Sequence, residues 1–207
     1  MVTSAVLVLT GCAEGSDGQA EPASEAAAES SEVEPNSSDP GGSSDLPHSG
    51  APAVADPLPK SALPQDPCDA VTPQQVETIL GQQAQGERAD QEETGLRCRW
   101  TDGAGAGFDI GYATETGQGL SAFYANTQPQ MEIFQAVDPV SGFPAVEYKT
   151  GHDDSLCTVV VGLADDYAVG ASVAQTVEAN AEGQDPCEPA AKVAELVVEN
   201  LGTNAVG

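Results

Sequence analysis

Five cysteines, Cys12, Cys68, Cys98, Cys157 and Cys187, are the residues of this chain best suited to covalent chemistry. An odd number cannot all pair, so one must have another fate. Beyond residue 62 there is a single histidine, His152, in Gly151-His152-Asp153-Asp154-Ser155. A Ser-His-Asp hydrolase needs these residue types, but geometry defines a triad, not nearness along the chain. A polar connection accounts for the stretch more simply. Arg97 and Arg99 are two of only five basic residues after position 62. On a strand they share one face, where they could meet an anion or an acidic partner, or be paired by acidic groups that cover them. Gly103 to Gly107 superficially suggests a phosphate cradle. It lies between two alternating segments, not between a strand and a helix, so a dinucleotide site is not expected. Asp165-Asp166 could ligate calcium, but a turn is sufficient explanation.

Val2 to Leu9 reads as a short signal-peptide apolar region, at the low end of the usual ~7–15 residues. Leu9-Thr10-Gly11-Cys12 resembles a lipobox, the processing signal of bacterial lipoproteins. That resemblance implies cleavage before Cys12 and lipid on its sulfur. Two or three acyl chains anchor a protein stably, whereas one does so marginally. Met1 to Ser4 carries no Lys or Arg, so a longer natural leader is expected.

Acidic residues outnumber basic ones 33 to 6, for a formal net charge of -27. Nucleic acid is excluded as a partner, since phosphates require basic patches. Charge-driven docking on anionic lipid is excluded likewise. Such self-repulsion strains a compact state and is relieved by salt, which suits a protein facing concentrated salt.

From Ala13 to Ala62 the chain is mostly Ser, Gly, Pro, Ala, Glu and Asp, with no aromatic residue. It reads as a disordered, self-repelling tether that includes a solvated His48. The expected organisation is residues 1–11 signal peptide, 12–62 lipidated cysteine plus tether, and 63–207 folded domain.

Within the domain, Thr72-Pro73-Gln74-Gln75 is a capping box that opens a helix, with Val76, Ile79 and Leu80 on one face and Gly81 as its stop. Leu96–Trp100 and Phe108–Tyr112 alternate as strands around a glycine-rich hairpin. Gly119–Gln128 reads as a helix closed by Pro129. Further strands are expected at Ile133–Val137, Ala145–Lys149, Cys157–Leu163 and Tyr167–Val173. A last helix opens at Asp185-Pro186-Cys187-Glu188, with Glu188 in capping-box register, and ends at Gly202. Helix, strands, helix, strands, helix with short turns means an α+β domain whose largely antiparallel sheet packs with three helices.

With Cys12 assigned to lipid, four cysteines remain, and three pairings are possible. Cys68–Cys98 and Cys157–Cys187 is preferred, because each bridge joins a helix start to an adjoining strand across the same separation of 30 positions. A four-cysteine zinc site is the rival, but no Cys-x-x-Cys pair exists. No metal or cofactor is expected.

Asp66-Pro67-Cys68, Leu80-Gly81, Cys98-Arg99-Trp100, Cys157-Thr158-Val159-Val160-Val161 and Asp185-Pro186-Cys187 together resemble the actinobacterial secreted lipoproteins that carry the domain of unknown function numbered 3558. The resemblance covers about Leu63 to Gly202. It implies an envelope location, outside the cytoplasm, and two disulfides, and it implies no activity. The layout is also similar to the fold of the photosystem II extrinsic protein PsbP, a likeness of fold that carries no function. The expectation is a monomeric, membrane-anchored, non-enzymatic module that binds an envelope protein or a small ligand. A hydrolase using His152 and a carrier of apolar molecules are the alternatives.

Overall fold

The computed structural model describes residues 45–92 and 95–205. The signal peptide, Cys12 and the tether up to residue 44 lie outside the described residues.

Seven strands form one antiparallel sheet in the order β1-β2-β3-β7-β6-β5-β4. They are β1 (Glu87–Arg88), β2 (Arg97–Thr101), β3 (Gly107–Ala113), β4 (Ile133–Val140), β5 (Phe143–Lys149), β6 (Leu156–Ala164) and β7 (Tyr167–Ala174). The helices are α1 (Pro73–Leu80), α2 (Gly119–Ala122), α3 (Val177–Ala181) and α4 (Cys187–Ala205). α2 continues as a π-helix over Phe123–Thr127. The α+β class and the antiparallel sheet are as the sequence predicts.

Local chemistry sets the boundaries. Thr72 accepts from the Gln75 N–H while the Gln75 side chain accepts from the Thr72 N–H, so the capping box is complete. Gly81 closes α1 with φ of 71°, a left-handed conformation that costs glycine little. β3 alternates between buried and half-buried residues, as a strand between two unlike faces should. β6 is buried on both sides from Cys157 to Ala164, which marks it as central.

The larger core lies on one face of the sheet. Val159, Val161 and Leu163 of β6, Val169 and Ala171 of β7, and Phe108 and Ile110 of β3 meet Val193, Val197 and Leu201 of α4 there. Trp100 stacks on Phe108 with ring centroids 4.7 Å apart. A smaller core on the opposite face gathers Val146, Val160 and Ala168 under Leu120 of α2.

Two Asp-Pro-Cys turns are built alike. The Asp66 carboxylate accepts from the Cys68 N–H at 2.9 Å, and Asp185 accepts from Cys187 at 3.1 Å. Each turn presents its cysteine to a strand. Cys68 is bonded to Cys98 of β2, and Cys187 to Cys157 of β6, with Cα–Cα distances of 5.1 and 5.0 Å. Of the three pairings the fold adopts the preferred one.

Three expectations need correction. First, order does not begin at Leu63. Residues 45–62 lie along the domain as a strap. Val54 N–H donates to Asp165, Leu58 N–H to the Leu163 carbonyl, and the Tyr167 hydroxyl to the Leu58 carbonyl at 2.6 Å. His48, placed in the solvated tether, is half-buried and its N–H donates to the Ser121 hydroxyl. Backbone hydrogen bonds and a few scattered side chains, Ala51, Leu58 and buried Ala62, hold the strap, so its composition carried little signal. Second, α4 does not stop at Gly202. It runs to Ala205 because Thr203 bonds back to the Glu199 carbonyl and Asn204 reaches the Ala62 carbonyl. Third, the α4 turn is capped by Asp185; no Glu188 side-chain bond completes a box among the described residues.

Removing either disulfide with a paired Cys→Ala change is expected to cost about 3–4 kcal/mol and to lower Tm by on the order of 10 °C. Thermal melts followed by the fluorescence of Trp100, the single tryptophan, check this. Asp185 supplies a pH term. The Cys187 N–H, and then Lys149, hold its carboxyl below the ordinary value. Its stabilisation is therefore present above the unfolded value of about 3.9 and is lost as pH falls through the folded one. Asp185→Asn keeps the cap but loses this term, so its stability should fall less steeply in acid than that of the wild type.

Candidate functional site

The face of the sheet opposite α4 is read row by row across the strands. One row is Arg99, Asp109, Ser172, Thr158, Tyr148 and Phe134, each paired with the next. The neighbouring row is Arg97, Gly111, Gly170, Val160, Val146 and Ala136. The two predicted arginines therefore stand side by side but have opposite fates.

Arg99 is paired. Its Nε donates to Asp109 on β3 at 2.7 Å, and the carboxylate holds the guanidinium above its ordinary pKa. Here the expectation of acidic cover holds, although a neighbouring strand provides it.

Arg97 is not. Its backbone N–H donates to Asp90, but its Nε is buried without a hydrogen-bond partner. The guanidinium lies over Gly111: a Cβ there would stand 3.5 Å from Nε. Arg97 as a whole is half-buried, but a buried N–H without an acceptor is costly, and such a group normally finds one.

Around Arg97 lies a cavity of about 220 Å³. Gly111 and Gly170 form its floor, Thr158 and Ser172 one side, and Phe123, Thr127 and Tyr148 the aromatic and helical wall. The Thr158 and Ser172 hydroxyls are bonded to each other at 2.8 Å, and Thr158 also reaches the Tyr148 phenol. Burial pushes the Tyr148 phenol up; Thr158 and the Arg97 charge pull it the other way.

Neither floor glycine is demanded by the fold. Neither has a positive φ. A Cβ at Gly170 would meet only Val160, at 3.8 Å, an ordinary contact. Gly86 is the contrast, since a Cβ there would stand 2.6 Å from the Cys98 sulfur. A strand glycine that neither backbone nor neighbours require often marks a place where something else approaches closely. The π-helix turn that brings Phe123 and Thr127 over the floor is of a kind frequent at functional sites. Sequence alternation could find Arg97; it could not find the hydroxyl pair or the two glycines, which register alone brings beside it.

A second, wider groove of about 760 Å³ runs beside α1, past Asp69, Glu77, Gln83 and Trp100. It contains no unpartnered cation and is the weaker candidate.

The remaining sequence candidates are occupied or exposed. His152 is exposed, with Nε2 3.7 Å from Glu132, and Asp154 is bonded to Thr150. The N–H groups of Ala104, Gly105 and Ala106 all donate to the Asp102 carboxylate, which fills the supposed phosphate cradle from within. Asp165 holds Val54 and Asp166 pairs with Lys60 at 2.7 Å. Among the described residues the one group of potential metal ligands is Glu147, Cys157 and Cys187, and its two sulfurs are bonded to each other. Cys12 lies outside the described residues.

A family model described as "Protein of unknown function (DUF3558)" matches residues 7–200. The chain belongs to the DUF3558 family. No curated protein and no solved structure matches it. The DUF3558 match takes in both arginines, the cavity and all five cysteines, so the site sits within the family's shared domain.

If the cavity is kept open for a ligand, closing it should benefit the fold. Gly170→Ala should raise stability by about 0.4–1 kcal/mol. Arg97→Met should raise Tm by roughly 2–4 °C by removing the unpartnered buried N–H. Gly86→Ala should lower Tm. Scanning calorimetry of the three variants checks the contrast.

Proposed function

We propose that this chain is a lipid-anchored protein of the cell envelope whose folded part is a non-enzymatic, monomeric binding module for a small ligand. The observation that carries the binding role is the Arg97 cavity, where a guanidinium whose buried Nε has no acceptor overlooks a glycine floor that the fold does not need. Such concave sites with a few converging polar groups are the usual form of ligand pockets.

The location rests on Leu9-Thr10-Gly11-Cys12 and on the lipid it implies for Cys12. Two disulfides fit an oxidising compartment outside the cytoplasm. Among the described residues no helix is long and apolar enough to cross a membrane. The sheet edges suit a monomer. β1 has two residues, and β4 carries Pro139 and a register shift between Val137 and Val140, devices that discourage edge pairing.

A purely apolar cargo fits the cavity less well, because Arg97, Thr158 and Ser172 line it. A hydrolase centred on His152 has less support, since its ring is exposed and its Nε2 lies 3.7 Å from Glu132.

Two measurements test the reading. Fatty-acid labelling with fractionation should place the native chain in the membrane fraction and the Cys12→Ser variant, unlabelled, in the soluble one; an unlabelled native chain overturns the anchor. A thermal-shift screen of small molecules on the full chain should give hits that stabilise the wild type and fail on Gly170→Val, which fills the cavity. Hits that persist in that variant, or none at all, overturn the pocket.

A further inference from the structure

We infer that the ligand of this pocket is a small organic monocarboxylate, with its carboxylate on the Arg97 guanidinium and its apolar body over Gly111 and Gly170 beside Phe123 and Tyr148. The inference rests on the binding role proposed above and adds the ligand's charge and shape.

Charge comes first. The chain holds 33 acidic residues, yet among the described residues that line the cavity none is Asp or Glu. Arg97 is the one cation among them, and no described acidic side chain pairs with it. The hydroxyls of Thr158 and Ser172 can add hydrogen bonds but cannot neutralise a guanidinium. An anionic ligand can do both, because charge-assisted bonds are about twice as strong as neutral ones.

The number of charges follows. A phosphate monoester carries about -1.5 to -2 near neutral pH, and one arginine would leave half of that uncompensated. The net charge of -27 opposes the excess further. A carboxylate carries one charge, and its two oxygens match the planar fork of Arg.

Size and walls supply the rest. At about 220 Å³ the cavity is smaller than the ~300–1,000 Å³ typical of drug-sized ligands. Its floor has no side chains, and Phe123 and Tyr148 face each other with ring centroids 6.4 Å apart. A flat or slender apolar body fits that space. The Thr158 and Ser172 hydroxyls and the Tyr148 phenol line the same space, where a rearranged hydrogen bond can reach the second carboxylate oxygen or a substituent.

The test is isothermal titration of the full chain carrying Cys12→Ser with hexanoate, benzoate and phenylacetate, with the amide of each, and with inorganic phosphate. At least one carboxylate should bind, its amide at least tenfold more weakly, and phosphate more weakly than the carboxylate. Arg97→Gln should remove the preference for the carboxylate over its amide, and Arg97→Lys, which keeps charge without the fork, should retain part of it. Circular dichroism confirms that both variants are folded. Equal binding of acid and amide overturns the inference but leaves the pocket standing. Tighter binding of phosphate also overturns it. If none of the carboxylates binds while neutral hits from the thermal-shift screen are lost in Gly170→Val, the monocarboxylate fails and the binding role survives. If Gly170→Val changes no ligand's affinity, the binding role itself has failed.

Discussion

Two covalent bonds decide which helix lies against which strand. Cys157–Cys187 fastens the start of α4 to the start of β6, and Cys68–Cys98 fastens the turn before α1 to β2. A chain with a net charge of -27 works against its own compaction. Loop closure by two bridges, each across 30 positions, offsets that repulsion by limiting the unfolded ensemble. With α4 fixed, Val193, Val197 and Leu201 must fall on β6 and β7, and that face of the sheet becomes dry.

The other face is covered differently, and the difference creates the pocket. α2 is short and carries one large fully buried residue, Leu120, which settles on Val146, Val160 and Ala168. At Gly162 a Cβ would stand 2.8 Å from Leu120, so the close seat of the helix needs a glycine there. The strap over residues 45–62 secures the β6–β7 turn but does not line the cavity. Between α2 and the row of Thr158 and Ser172 the sheet is left open, and Arg97 reaches into the gap. The rigid sheet and the disulfide on neighbouring Cys98 hold the arginine's strand in place. A guanidinium that no described carboxylate pairs in so acidic a protein is a local departure from an otherwise consistent design. Such departures are expected at functional sites.

Arg97 and Arg99 show how register separates residues that sequence treats as equals. Both alternate outward from β2 and both were candidates for anion contact. Register puts Asp109 opposite Arg99 and Gly111 opposite Arg97. One arginine is neutralised at once. The other faces a residue with no side chain and keeps its charge for something else.

The sequence by itself determined the local elements and their hydrophobic faces. Thr72 and Gln75 cap their own helix, Leu96 to Trp100 alternates visibly, and each Asp-Pro-Cys turn closes on itself, because these interactions span a few residues. It also limited the cysteine pairing, through helix starts that adjoin strands. Only the tertiary structure decided the rest. The strap is held by groups whose partners lie over a hundred positions away, such as the Val54 N–H on Asp165 and Lys60 on Asp166. α4 passes Gly202 because distant Ala62 offers Asn204 an acceptor. The pocket joins residues from β2, β3, β5, β6, β7 and the π-turn. No local pattern carries that juxtaposition, since it follows from strand order and register, which the burial of one face and the two bridges impose on the chain as a whole.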